Sequence, residues 1–144
     1  MTQAIGSHGT LLKIGDGGEP EQFTTIAEVT NIQGPGLSMD TVDATSHDSP
    51  SYHEEIIAGI KRSGEVTFSI NFVPTHATHN PSTGLLRDWA NRTKRNFKLV
   101  FPDVGNTTWT FAAFVTGFQP TAPAGSEKLT ADVTLKVASA PTLA

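Results

Sequence analysis

Strict two-residue alternation over whole segments is the feature that most limits what this chain can fold into. In EVTFSINF (Glu65 to Phe72), Val66, Phe68, Ile70 and Phe72 fall on one face and Glu65, Thr67, Ser69 and Asn71 on the other. LTADVTLKV repeats the pattern, with Leu129, Ala131, Val133, Leu135 and Val137 against Thr130, Asp132, Thr134 and Lys136. NFKLVF groups Phe97, Leu99 and Phe101. A strand sends successive side chains to opposite faces, whereas a helix repeats about every 3.6 residues, so these segments read as half-buried strands. TWTFAAFVTGF sets Trp109, Phe111, Ala113 and Val115 on one face and Phe114 and Phe118 on the other, as expected of a strand covered on both sides.

The first half is less regular. TLLKI (Thr10 to Ile14) reads as a short strand ended by GDGGEP. FTTIAEVTNI reads as one strand stopping at the turn QGPG, and LSMDTVDAT as another of weaker pattern. From about 43 to 64 no period is visible, and a long loop is expected there; loops of that length in compact domains are functional or mobile. NPSTGLLRDWANRTK reads as the single helix, with Asn80 or Ser82 as N-cap and Leu85, Leu86, Trp89 and Ala90 as its buried stripe. A flexible end is expected from about 139 to 144. The sum is one domain over 1–144, mainly β: an antiparallel sandwich or barrel with one flanking α-helix.

Few chemistries fit. There is no Cys, hence no thiol nucleophile and no disulfide, and nothing argues for an oxidising compartment. The first ten residues lack the basic and apolar regions of a signal peptide, so none is expected. No run of about 18 apolar residues exists, so no membrane-spanning helix is expected either. A net charge of −4 argues against a protein that wraps DNA tightly. The densest polar stretch is DATSHDSPSYHEE, with Asp43, His47, Asp48, His53, Glu54 and Glu55. Its histidines lack the spacing of a zinc site and its acids lack the alternating oxygens and central Gly of a calcium loop. A solvated polar loop is the expected meaning, and no metal or other cofactor is expected. His76 and His79 sit in a connecting loop between Pro74 and Pro81. GDGGEP opens no helix and therefore cannot cradle phosphate in the usual way. Arg87, Arg92, Lys94 and Arg95 gather at the helix end without an aromatic platform for nucleic acid, so a solvated or salt-bridging patch is expected. What remains is geometry. Polar strands with open edges and one long acidic loop suit a subunit that assembles with its own kind.

LSMDTVDATSHDS and HEEIIAGIKRSGEVTFSINF carry a D-x-x-D-x-T-x-x-D pattern (Asp40, Asp43, Thr45, Asp48). An acid (Glu54 or Glu55), a Gly59–Ile60 step and a G-E-V-x-F strand from Gly64 to Phe68 follow. Together with the later helix-then-strands layout, these segments resemble the tail tube proteins of long-tailed, non-contractile bacteriophages. The resemblance implies a small sandwich with a flanking helix, six copies per ring, and rings stacked around a channel through which the genome passes without specific binding. It implies a virion tail component assembled in the bacterial cytoplasm, and no catalysis. Its implied partners are copies of the chain itself, the tape measure protein, tail tip and tail terminator proteins, and tail assembly chaperones, with no membrane. Some relatives add an immunoglobulin-like module, which would follow Ala144. Inner tubes of contractile and secretion particles share the fold, so a phage-derived particle is a neighbouring reading.

On that basis the subunit interface is expected at Asp43, His47, Asp48, Tyr52, His53, Glu54 and Glu55, with the acids pairing to Arg87, Arg92 or Arg95 of a neighbour. The channel is expected along Glu65, Thr67, Ser69, Asn71, Thr130, Asp132, Thr134 and Lys136, or else these line the outer surface. Six copies at −4 give a ring of −24, which suits an acidic channel that repels phosphate. Two other classes compete. A carbohydrate-binding sandwich needs exposed aromatics on one sheet face, and only Tyr52 stands in a clearly polar context. A small β-barrel enzyme using His47, His53 and the acids needs a pocket and metal affinity.

Overall fold

A computed structural model describes residues 2–144. Its centre is the pair the alternation marked most clearly. Strand β6 (Glu65–Asn71) lies antiparallel to β9 (Thr130–Val137), with Val66 opposite Leu135, Phe68 opposite Val133 and Ile70 opposite Ala131. Around this pair run β1 (Leu11–Gly15), β2 (Phe23–Thr25), β3 (Val29–Gln33), β7 (Lys94–Val100) and β8 (Thr108–Thr121) in the order β2-β1-β7-β8-β9-β6-β3. Every pairing is antiparallel.

The two ends of this order are consecutive in the chain, and the link between them rolls the sheet up. Ile26 N–H donates to Leu12 O of β1 (2.9 Å), and Glu28 O accepts from Asn71 N–H (2.9 Å). The apolar faces thus turn inward around Leu12, Ile26, Val66, Phe68, Ile70, Phe97, Leu99, Phe111, Leu135 and their neighbours. Each such side chain is worth about 1.5–3 kcal/mol when fully buried. The sandwich-or-barrel expectation holds, with FTTIAEVTNI corrected from one strand to two. Glu28 takes a left-handed backbone (φ 62), which breaks the run and sends β2 and β3 to opposite edges.

Three further expectations are corrected. In β8 the register shifts between Val115 and Gly117, so one extra residue reverses the alternation. Phe118 therefore faces Val133 and packs edge-on against Phe72 (5.2 Å), on the inner face and away from Phe114. The helix α1 spans only Leu85–Ala90, and its inward stripe is Leu85 and Asp88, while Trp89 and Ala90 are exposed. Asn80 caps the preceding turn, accepting from Ser82 N–H (3.1 Å) and Thr83 N–H (2.7 Å), and Gly84 starts the helix. The tail is ordered in part: β10 (Thr142–Leu143) pairs with β8, Thr142 opposite Thr110 and Leu143 opposite Trp109.

His79 is fully buried. Its Nε2–H donates to Ala27 O (2.8 Å) and its Nδ1 accepts from Val73 N–H (3.2 Å), which fixes the neutral tautomer. It ties the pre-helix loop to the link that closes the sheet. GDGGEP is the β1–β2 loop, held by Asp16 Oδ1, which accepts from Gly18 N–H (2.8 Å) and Gln22 N–H (3.1 Å). Those two hydrogen bonds hold the Asp16 carboxyl below the usual carboxylate range.

Candidate assembly surface

The stretch expected as a loop from 43 to 64 is instead the tip and the whole returning strand of a two-stranded arm. Strand β4 (Ser38–Asp43) pairs with β5 (Ile56–Arg62), Ser38 opposite Arg62 and Asp43 opposite Ile56. These two strands form their own sheet, pairing with no other strand. Every residue in both is exposed. Among the exposed side chains are Met39, Val42, Ile56, Ile57 and Ile60, the last at 66%. An isolated two-stranded ribbon is marginal in water, and exposed apolar clusters of this kind mark contact surfaces.

The arm is anchored at its root. Gly36 N–H donates to Glu65 O (3.3 Å), and Arg62 forms a bidentate pair with Asp40 (2.8 Å at the nearer contact). The Arg62 guanidinium holds the Asp40 carboxyl below its usual range. Gly64 has φ +66, and a Cβ there would stand 2.5 Å from Gly36 O, so the root turn admits glycine alone without a backbone shift. A groove of about 770 Å³ opens beside the root, bounded by Leu37, Met39, Val137, Pro141 and Leu143.

The tip is cross-bonded within itself. Asp43 Oδ1 accepts from Thr45 N–H (2.9 Å), Thr45 Oγ1 from Glu55 N–H (2.7 Å), and Ser49 Oγ–H donates to Glu55 Oε2 (2.9 Å). The Thr45 hydrogen bonds depress the Asp43 carboxyl. Ser51 and Tyr52 both adopt left-handed backbone (φ 54 and 61) beside the 3-10 turn Pro50–Tyr52, and Tyr52 is wholly exposed. Left-handed backbone at two successive non-glycine residues is strained. Among the described residues, the side chains of His47, Asp48, Tyr52, His53 and Glu54 have no hydrogen-bond partner, and no group of three or more His, Asp or Glu could hold a metal.

The tip also concentrates the charge. Four of the 14 acids lie in residues 43–55, a segment without Lys or Arg; the other ten acids are matched by the ten Lys and Arg of the rest. The whole formal excess of −4 therefore sits on the arm tip.

The expected arginine partners are placed differently. Arg87 Nη2 and Arg95 Nε stand 3.1 and 3.0 Å from Asp88 Oδ1, in a pair whose carboxylate is fully buried. Arg95 Nη1–H also donates to Asp16 O (2.9 Å). These two guanidiniums thus have an anion within their own chain, and a neighbour's carboxylate would compete with it. Arg92 sits beyond the helix with left-handed backbone (φ 53) and is exposed.

The eight residues expected along a channel share one outward face of β6 and β9. Glu65 lies opposite Lys136, Thr67 opposite Thr134, Ser69 opposite Asp132 and Asn71 opposite Thr130. Ser69 Oγ–H donates to Asp132 Oδ1 (2.8 Å). With Glu65 and Asp132 against Lys136, this face carries one formal negative charge per chain, so the −4 does not reside there.

The reading of LSMDTVDAT as a strand agrees with β4, whereas EEIIAGIKR, taken as loop, holds β5 and its apolar residues. The signal was present: Ile56 and Ile57 are adjacent, and adjacent residues of a strand face opposite ways, so an apolar run bared on both faces has no core of its own.

Similar chains occur in solved structures of gene transfer agent particles and of an extracellular contractile injection system. A chain from the tail of an empty gene transfer agent particle, refined with C6 helical symmetry, superposes with a TM-score of 0.78 at 18% identity, covering 98% of this chain and 99% of that one. A chain from the virion of a native gene transfer agent gives 0.77 at 16% identity, with coverages of 98% and 99%. A chain from the sheath/tube terminator of an extracellular contractile injection system, in its extended state, gives 0.73 at 16% identity, with coverages of 100% and 99%. At these identities the likeness establishes the fold. Among curated proteins nothing matches the sequence. The family model of the lambda phage tail tube protein matches residues 9–144, nearly the whole chain, and the chain belongs to that family.

Proposed function

We propose that this chain is the repeating subunit of a tail tube: six copies close into a ring, rings stack, and genome passes through the channel. The observation that carries the proposal is the arm, an ordered ribbon with bare apolar faces in a tube-family chain. A head-to-tail contact closes into a ring when its rotation divides the circle, and the C6 tail of a similar fold supports six. The polar face of β6 and β9 lines the channel, with β2 and β3 as the edges where neighbouring subunits join sheets. Hydroxyls and amides with one net negative charge per chain offer phosphate no binding site. The chain performs no catalysis.

The arm tips reach neighbouring copies through Asp43, His47, Asp48, Tyr52, His53, Glu54 and Glu55. Arg92, at the exposed helix end, belongs to the same contact zone, with Arg87 and Arg95 behind it on Asp88. Structures with similar chains include a baseplate, a terminator and a tube-terminating cap. By analogy the chain's further partners are tail tip and terminator proteins, a tape measure protein and tail assembly chaperones. Among the described residues no helix is long and apolar enough to cross a membrane. The place of action is the particle tail.

Negative-stain electron microscopy of the purified protein at low and high concentration tests this. Rings or hollow tubes at high concentration are expected. Monomers at every concentration, with or without other tail proteins, would remove the proposal.

A further inference from the structure

We propose that a hollow beside Lys13 and Lys98 seats the acidic arm tip of a second copy of this chain. The inference rests on the assembly reading and names the surface that receives the arm.

Lys13 on β1 and Lys98 on β7 are direct cross-strand partners on the outer face of the sheet. Like charges placed directly opposite destabilise a sheet. Both side chains are half-buried, and the ion pairs among the described residues involve no lysine at all. Lys98 Nζ is held 4.1 Å above the ring of Phe23. The register thus sets two lysines opposite each other, and neither has an ion-pair partner within 4 Å among the described residues. They form one wall of a hollow of about 550 Å³, whose other surfaces include Leu11, Phe23, Val100, Thr110 and the tail residues Thr142 and Ala144. Paired cations beside apolar and aromatic walls match a ligand with carboxylates next to an aromatic ring.

The arm tip has that composition. Tyr52 is wholly exposed on strained backbone, and Asp48 and Glu54 flank it with unpartnered carboxylates. A tyrosine anchor buries about 150–250 Å² at low entropic cost, and desolvated aromatic anchors dominate interfaces. The tip cannot fold back onto its own hollow. The arm leaves from β3 and β6, six residues of β4 carry the tip about 20 Å outward, and β4 and β5 pair only with each other. The rest of the chain is formally neutral and Arg87 and Arg95 hold Asp88; Arg92 and the other lysines also lack ion pairs, but Lys13 and Lys98 are the pair that the described strand register sets cation opposite cation. Donor and receiver are different surfaces of one chain, so the contact is head-to-tail and propagates.

Carbodiimide joins a carboxylate to an amine only where the two already touch. Protein assembled from equal parts of unlabelled and ¹⁵N-labelled wild-type chain is treated with it and its linked peptides are mapped. The expected result is mixed-isotope links from Lys13 or Lys98 to Asp48, Glu54 or Glu55. Tubes whose tip carboxylates link only to Lys61, Lys94, Lys128 or Lys136 would overturn this inference and leave the tube intact. Wild-type protein that never assembles would overturn the tube reading, and this one with it. As a second arm, Lys13→Glu with Lys98→Glu should raise the concentration for half-assembly at least about tenfold. Adding Glu54→Lys and Glu55→Lys should recover most of that loss. Should the glutamates unfold the protomer in a thermal melt, Lys13→Gln with Lys98→Gln replaces them. Unchanged assembly in a folded variant counts against the proposal.

Discussion

Strands β6 and β9 and strands β4 and β5 are both antiparallel pairs of six to eight residues, yet they live in opposite environments. In the first pair every second side chain is buried, and polar residues fill the alternate places. In the second pair nothing is buried, although it carries Met39, Val42, Ile56, Ile57 and Ile60. Alternation records a strand with one wet and one dry face inside a single chain. Its loss in a well-paired ribbon leaves apolar side chains bare, and in the proposed tube a neighbouring copy covers them. The core pair holds the protomer together, and in the proposed tube the arm pair couples protomers.

Substitutions that strike one pair and spare the other separate these roles most sharply. Phe97 is fully buried and stacks on Phe111 at 5.9 Å. Phe97→Ala should cost about 3–5 kcal/mol of protomer stability, read as a lower denaturant midpoint. Ile60→Asp in the arm should leave that midpoint within about 0.5 kcal/mol and abolish assembly by sedimentation. If Ile60→Asp unfolds the protomer, the two roles are not separable.

Asp88 gives an intermediate effect. Asp88→Ala leaves Arg87 and Arg95 without their anion, but both reach water, with side chains 27% and 16% exposed. A loss of about 2 kcal/mol is expected in urea unfolding, less than for a fully buried pair. The freed arginines would then be open to a neighbour's acids, so assembly of the folded variant should change register or affinity.

Gly64→Ala probes the joint between the two regions. With φ +66 and Gly36 O in the way of a Cβ, a shift costing about 1–3 kcal/mol falls on the arm root. Amide chemical shifts should move for residues near 36–39 and 62–65 and stay put in β8 and β9. The smallest effect is electrostatic. Arg62 depresses the Asp40 carboxyl, so the pair stabilises the folded arm above the unfolded value near 3.9 and is lost as pH falls through the lower folded value. A carboxyl carbon NMR titration should place the Asp40 midpoint below the ordinary range, and Arg62→Gln should raise it.

The sequence showed most where one face is dry. The strands holding Val66 to Ile70, Phe97 to Leu99 and Ala131 to Val137 were legible because burial within the chain writes their period. Glu28 and the bulge near Thr116 were not, since each reverses a pattern through one backbone conformation that local composition does not encode. The helix stripe was misread because Asp88, an acid, faces inward, its charge matched by arginines one and seven positions away. At the assembly surface the polar tip could be read from composition. Of the ribbon, β4 was legible as a strand of weaker pattern, while β5 was not, because no core within the chain imposes a period on Ile56, Ile57 and Ile60.

Hydrogen exchange of the amides in β4 and β5, in dilute protomer and in assembled tubes, tests the central claim most directly. The account predicts rapid exchange of residues 38–43 and 56–62 in the protomer and strong protection in the tube, while β6 and β9 stay protected in both. An arm equally protected in dilute protomer, or still unprotected in tubes, would contradict it.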